Sequence, residues 1–106
     1  MNIGIDYGGT ITEAPEFFRI FADAMLNAGH MIHVITASPS RGVVESSLRR
    51  LHFPYTDIWT QENSLSSIPE WKAEIVVKLG ITVFIDDDPV NMSMMPDGMT
   101  MLRICH

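Results

Sequence analysis

The constraint that most limits how this chain can fold is an alternation. Short apolar runs at residues 2–5, 31–35, 55–59 and 81–85 are separated by stretches with helical spacing. Between the first two runs, Phe17, Phe21, Ala24, Met25 and Ala28 recur at the period of one helical face over residues 15–28. Pro15 suits a first helical turn there, and Gly29 suits the position just past a helix end. Ser40 can cap a helix running to about residue 51, with Val44, Leu48 and Leu51 turned inward. Pro69 opens a further helix that ends at Leu79, closed by Gly80, and residues 101–105 read as a last, edge strand. Strands alternating with helices predict an α/β domain over residues 1–106, a three-layer Rossmann-like fold. Its sheet is expected to be mostly parallel, of about five strands, with right-handed crossovers and helices on both faces.

Composition narrows the function classes. At 106 residues there is room for one core and no second domain. Seven basic against 13 acidic side chains leave a net charge of −6, which disfavours nucleic acid as a partner. No apolar run approaches a membrane span, and no basic region precedes an apolar segment at the N-terminus. Cys105, the single cysteine, has no internal partner and is expected to be a buried thiol near the end of the chain. A soluble cytoplasmic protein is the expectation.

Parallel sheets bind ligands in the crevice beyond the carboxyl ends of their strands. Three apolar runs end in polar residues that would share that rim: Asp6, Thr36 and Asp86. Each alone is commonplace, since Asp and Thr often cap the next turn. Together, with Asp86-Asp87-Asp88 consecutive, they point to a site. Asp6 beside Asp86 and Asp87 would crowd like charges and raise their pKa values. A hard divalent cation removes the conflict, and Mg²⁺ favours one or two carboxylates together with phosphate oxygens. Asp88, next to Pro89, reads as a solvated loop charge.

These residues give the chain a similarity to the haloacid dehalogenase-like superfamily of phosphatases and phosphotransferases. Its first motif is an apolar strand followed by Asp-x-Asp-Gly-Thr, and this chain reads Asp6-Tyr7-Gly8-Gly9-Thr10. A strand ending in Ser or Thr is matched by Thr36, the later helix lysine by Lys72, and the acidic pair after a strand by Asp86-Asp87. The resemblance implies that Asp6 attacks phosphorus and forms an aspartyl-phosphate. It implies that Thr36 and Lys72 hold the phosphoryl oxygens, with Gly9, Thr10, Ala37, Ser38 and Arg41 around the substrate. It also implies a Mg²⁺ site made by Asp6, the backbone carbonyl of Gly8, Asp86 and Asp87. Lys78 is the alternative to Lys72, but its place near the helix end reads as a solvated charge.

The family's second aspartate, an acid and base for the leaving oxygen and the attacking water, is replaced by Gly8. Loss of such help typically costs ~10²–10⁴ in rate. Glu13 and His33 are candidate substitutes, each with a simpler reading as a helix-start charge and a strand residue. Only 29 residues separate Asp6 from Thr36, enough for one helix and one strand and too few for a cap domain. The site is therefore expected to be open, suited to a phosphorylated substrate that can be macromolecular. Arg41, Arg49 and Arg50 are possible anion contacts, Arg41 the nearest to the rim. The functions implied are a phosphatase, restricted or weak because of Gly8, a phosphotransferase, or a catalytically silent phosphate- or partner-binding module.

Residues 3–10 are also similar to the first phosphate loop of sugar kinases and actin-like ATPases. Those proteins continue into an antiparallel strand and need two lobes. Here Pro15 starts a helix, the chain is too short, and Asp86-Asp87 would be left without a role. Met92, Met94, Met95, Met99 and Met101 are expected to line the core under the last strand, and Trp59 and Trp71 to pack in the core or at the rim.

Overall fold

A computed structural model describes residues 1–62 and 65–105. The elements run β1 (Asn2–Ile5), α1 (Pro15–Asn27), β2 (Met31–Thr36), α2 (Arg41–Arg50), β3 (Asp57–Thr60), α3 (Ile68–Leu79), β4 (Ile81–Asp86) and β5 (Thr100–Arg103). All five strands are parallel and lie in the order β3-β2-β1-β4-β5. This is the expected Rossmann-like α/β architecture, without a cap between β1 and β2.

The chain order explains the layers. Strands are added outward from β1 to β3, and the chain then crosses back to place β4 on the other side of β1. With right-handed crossovers, that reversal puts α3 on the face opposite α1 and α2. The core divides accordingly. Ile3, Ile5, Ile32, Val34 and Ile85 pack with Phe18, Ala22, Val44 and Leu48 of α1 and α2. Ile35, Ile81 and Phe84 pack with Trp71 and Val76 of α3.

Local chemistry sets the helix ends. Ser40 caps α2 by accepting from the Val43 amide, and Ser67 caps α3 by accepting from the Glu70 amide. Gly80 ends α3 in the left-handed conformation at φ 64°, which favours a residue without a Cβ. Gly4 answers to space instead. A Cβ there would come within 2.9 Å of the Phe84 ring, so its absence lets Phe84 and Ile35 close over the central strand.

Several sequence expectations are corrected. The buried face of α1 is Phe18 and Ala22, flanked by half-buried Phe21 and Met25, while Phe17, Ala24 and Ala28 face outward. Adjacent apolar pairs such as Phe17-Phe18 make two stripes one residue apart, and packing chose the second. Phe17 keeps partial cover through edge contact with Phe18 and stacking on Phe21. β3 begins two residues later than expected, and Cys105 is exposed because β5 is an outer strand whose residues all face solvent. Of the methionines, Met95 and Met99 pack on the α3-side core, but Met94 and Met101 are exposed. Among the described residues no helix is long and apolar enough to cross a membrane.

Candidate active site

Strand pleating aims the acidic residues. Ile5 and Ile85 are opposite each other in the register, and both belong to the α1/α2-side core. The next residues, Asp6 and Asp86, therefore turn to the other face, towards α3. The Asp6 amide donates to the Ile85 carbonyl at 2.9 Å, and the Ile104 amide donates to the Asp86 carbonyl at 2.9 Å. Both carboxylates thus hang from fixed backbone.

Lys72 meets them from α3. It lies in the second turn of that helix, four residues before buried Val76 and so on the same inward face. Its Nζ donates to Asp6 Oδ1 at 2.9 Å and to Asp86 Oδ2 at 2.7 Å. All three side chains are buried: Lys72 is 1%, Asp6 5% and Asp86 0% exposed. Lys78 points elsewhere, its ammonium 4.9 Å from the centre of the Trp59 ring. The Lys72 Nζ also lies over the Phe84 ring, 5.7 Å from its centre.

Remaining groups orient the carboxylates or enclose the space in front of them. Thr10 Oγ donates weakly to Asp6 Oδ2 at 3.4 Å, and the Asp88 amide donates to Asp86 Oδ1 at 3.1 Å. Asp6, Gly8 and Lys72 open onto a cleft of about 260 Å³. Thr36, Ala37 and Ser38 form its second wall, after β2, and Asp87, Asp88 and Asn91 its third, after β4. Inside that second wall, the Ser38 amide donates to Thr36 Oγ at 3.3 Å.

Most of the residues singled out in the sequence converge here, and others are placed differently. Thr10 is fully buried behind Asp6, where it contacts the carboxylate and not a ligand. Gly9 packs against Asp87: it has φ 78°, and a Cβ there would lie 2.4 Å from Asp87 Oδ2. Arg41 is held away from the cleft, its guanidinium donating to Glu45 at 2.6 Å and to the Ile58 carbonyl at 3.0 Å. Arg49 and Arg50 line a separate shallow groove on the outside of α2. His33 is internal to β2, with Nδ1 2.6 Å from Asp57 and Nε2 3.0 Å from Asn2, so it is no substitute acid. Asn91 was not legible in the sequence, because an isolated polar residue in a turn carries no periodic signal. Asp88, read as a solvated charge, in fact lines the cleft.

Electrostatics favour an added cation. Oxygens of Asp6, Asp86 and Asp87 all lie within 4.8 Å of one another. Three carboxylates against the single charge of Lys72 leave the cluster two negative charges in excess when all are ionised. Burial, the largest cause, pushes the Asp6 carboxyl up from 3.8 to about 7, and Asp86 and Asp87 act in the same direction. Lys72 opposes the shift without cancelling it. Oxygen-only donors carrying excess negative charge suit a hard divalent ion of the Mg²⁺ type. The carboxylates of Asp6, Asp86 and Asp87 therefore fit such an ion, and Gly8 lines the same cleft.

Gly8 borders the cleft on the open side. Its backbone is ordinary extended chain, φ −70° and ψ 127°, and a Cβ there would meet no atom within 4 Å. Steric exclusion is therefore not the reason for glycine at this position. Searches against protein-family models and against curated protein sequences find no match to this chain.

Proposed function

We propose that this protein is a Mg²⁺-dependent phosphohydrolase of the haloacid dehalogenase-like superfamily, acting through an aspartyl-phosphate on Asp6. One observation carries the reading. Asp6, Lys72 and Asp86 come from three different elements and meet within 2.9 Å contacts at the carboxyl rim of a parallel sheet. Burying three ionisable groups is costly unless they are paired, and a paired set opening onto a polar cleft is a typical functional arrangement.

In this mechanism a phosphoryl group enters the 260 Å³ cleft. Thr36 Oγ and the backbone at Ala37 and Ser38 contact its oxygens, and Lys72 Nζ offsets their charge. Asp6, fixed by the hydrogen bond its backbone amide donates to the Ile85 carbonyl of β4, presents a carboxylate oxygen to phosphorus. Bound Mg²⁺ would polarise a phosphoryl oxygen and balance the excess carboxylate charge. Asp86 orients Lys72, and Asp87 is held in place by close packing against Gly9.

The open cleft suits a phosphorylated substrate that can be macromolecular, and the lone exposed Cys105 fits a reducing, cytoplasmic setting. Gly8 supports a second reading, a catalytically inactive phosphate- or partner-binding module, because no side chain stands where an acid would be useful. A phosphotransferase with a long-lived phospho-aspartate is the third.

Hydrolysis of p-nitrophenyl phosphate with Mg²⁺ by the wild type and by Asp6→Asn tests the proposal. Mg²⁺-dependent turnover that disappears in Asp6→Asn is expected. Turnover retained in Asp6→Asn would remove Asp6 as nucleophile. No turnover in the wild type or in Gly8→Asp would favour the binding module.

A further inference from the structure

Resting on the proposed phosphoryl-transfer site, we infer that its substrates are acyl phosphates, compounds whose leaving oxygen departs as a stable carboxylate without receiving a proton. The reason lies in what surrounds Asp6. Lys72 spends two of its N–H bonds on Asp6 and Asp86. Thr36 and Ser38 are hydroxyls and Asn91 is an amide, none of them a proton donor of useful strength at neutral pH, while the Asp87 carboxylate belongs with Asp6 and Asp86 to the cluster assigned to the cation and packs against Gly9. Asp88 Oδ1 accepts from the Val90 amide at 2.9 Å, which ties that carboxyl to its own loop. His33 is enclosed by Asp57 and Asn2 away from the cleft. On the open side stands Gly8, with empty space where a side chain would be.

Leaving-group chemistry follows from that geometry. An alkoxide is about as basic as hydroxide, far more basic than a phenolate or a carboxylate, so it leaves poorly unless protonated. A phenolate, with a conjugate acid near pKa ~10, is intermediate, and a carboxylate, near ~4, needs no proton. With an acyl phosphate, Asp6 Oδ forms a bond to phosphorus while the bond from phosphorus to the acyl oxygen breaks, its electron pair staying on the departing carboxylate. The product on Asp6 is another acyl phosphate, so the exchange is close to energetically balanced. Water then attacks phosphorus, the bond to Asp6 breaks with its pair returning to the carboxylate, and the water proton passes to phosphate or solvent. Both halves expel a carboxylate, and neither requires an acid at position 8.

The test measures Mg²⁺-dependent rates for acetyl phosphate, phenyl phosphate and glycerol 2-phosphate with the full chain. Wild type is compared with Gly8→Asp, Gly8→Asn and Asp88→Asn, and the readout is the alkyl-to-acyl rate ratio within each protein. For wild type, the expected result is turnover of acetyl phosphate and the steepest fall towards the alkyl ester. The ratio should rise by ~10²–10⁴ in Gly8→Asp and stay within about threefold of wild type in Gly8→Asn. A wild-type alkyl rate already as high as that of Gly8→Asp would overturn the inference while leaving the phosphatase reading intact. So would an alkyl rate abolished by Asp88→Asn, which would make Asp88 the acid, or a ratio unmoved by Gly8→Asp. Absence of turnover of every ester by every variant would instead defeat the phosphatase reading, and this inference with it.

Discussion

Lys72 Nζ lies 2.9 Å from Asp6 Oδ1 across 66 residues of sequence, joining α3 to the end of the central strand. The same ammonium reaches Asp86 at 2.7 Å, so one lysine ties together two strand ends and a helix. Removing one partner of a buried ion pair leaves uncompensated charge. Lys72→Met is therefore expected to lower stability by about 3–5 kcal/mol, read from denaturant midpoints. Because the three carboxylates would then face each other without a counter-charge, Mg²⁺ should raise the midpoint of this variant more than that of the wild type. An equal Mg²⁺ effect in both proteins would argue against a shared cation site.

The Asp6 carboxyl gives stability a pH dependence of predictable sign. Its value rises from 3.8 when exposed to about 7 in the fold, chiefly through burial, so between these limits the folded state holds the extra proton. Its contribution is complete below the unfolded value and is lost as pH rises through the folded one. Without divalent ions, thermal stability should thus decline between about pH 4 and 7, and Asp6→Asn should flatten that decline. Metal binding competes with the proton for the carboxylate, so the stabilisation by Mg²⁺ should grow across the same interval. Identical profiles for wild type and Asp6→Asn would remove Asp6 as the source.

Adjacent glycines should respond in opposite ways. Gly9 has φ 78°, and a Cβ there would overlap Asp87 Oδ2 at 2.4 Å, so Gly9→Ala combines strain with displacement of a cleft carboxylate. The expected loss is about 1–3 kcal/mol, with weakened Mg²⁺ binding by calorimetry. At Gly8 the backbone is unstrained and nothing lies within 4 Å, so Gly8→Ala should be neutral or stabilising by up to about 1 kcal/mol. Equal losses at the two positions would contradict the geometry of this turn.

Beyond the end of α2, His52 occupies the left-handed region at φ 53°, while its amide and that of Phe53 close the helix on Arg49 and Leu48. Glycine is suited to this conformation and His is not. The exposed His52→Gly substitution is expected to stabilise the protein by about 1 kcal/mol. A lowered melting temperature in that variant would show that the imidazole makes a contribution exceeding the strain.

The sequence by itself determined the alternation of strands and helices, and so the common rim on which Asp6, Thr36 and Asp86 lie. Those features are local: β-branched runs favour strands, Ser40 caps a helix, and the parallel topology follows from chain order. The tertiary structure decided which side chains meet. Lys78 lies six positions after Lys72, a spacing that puts them on different faces of α3, and only packing showed that Lys72 turns inward to Asp6 while Lys78 covers Trp59. The phase of α1 was hidden for the same reason, since Phe17 and Phe18 are equally apolar and only one can face the sheet. Arg41 looked available for an anion until Glu45 and the Ile58 carbonyl were seen to hold it. Gly8, read first as a defect in a motif, became a statement about space. No neighbour forbids a side chain there, and the chain leaves that edge of the cleft without an acid.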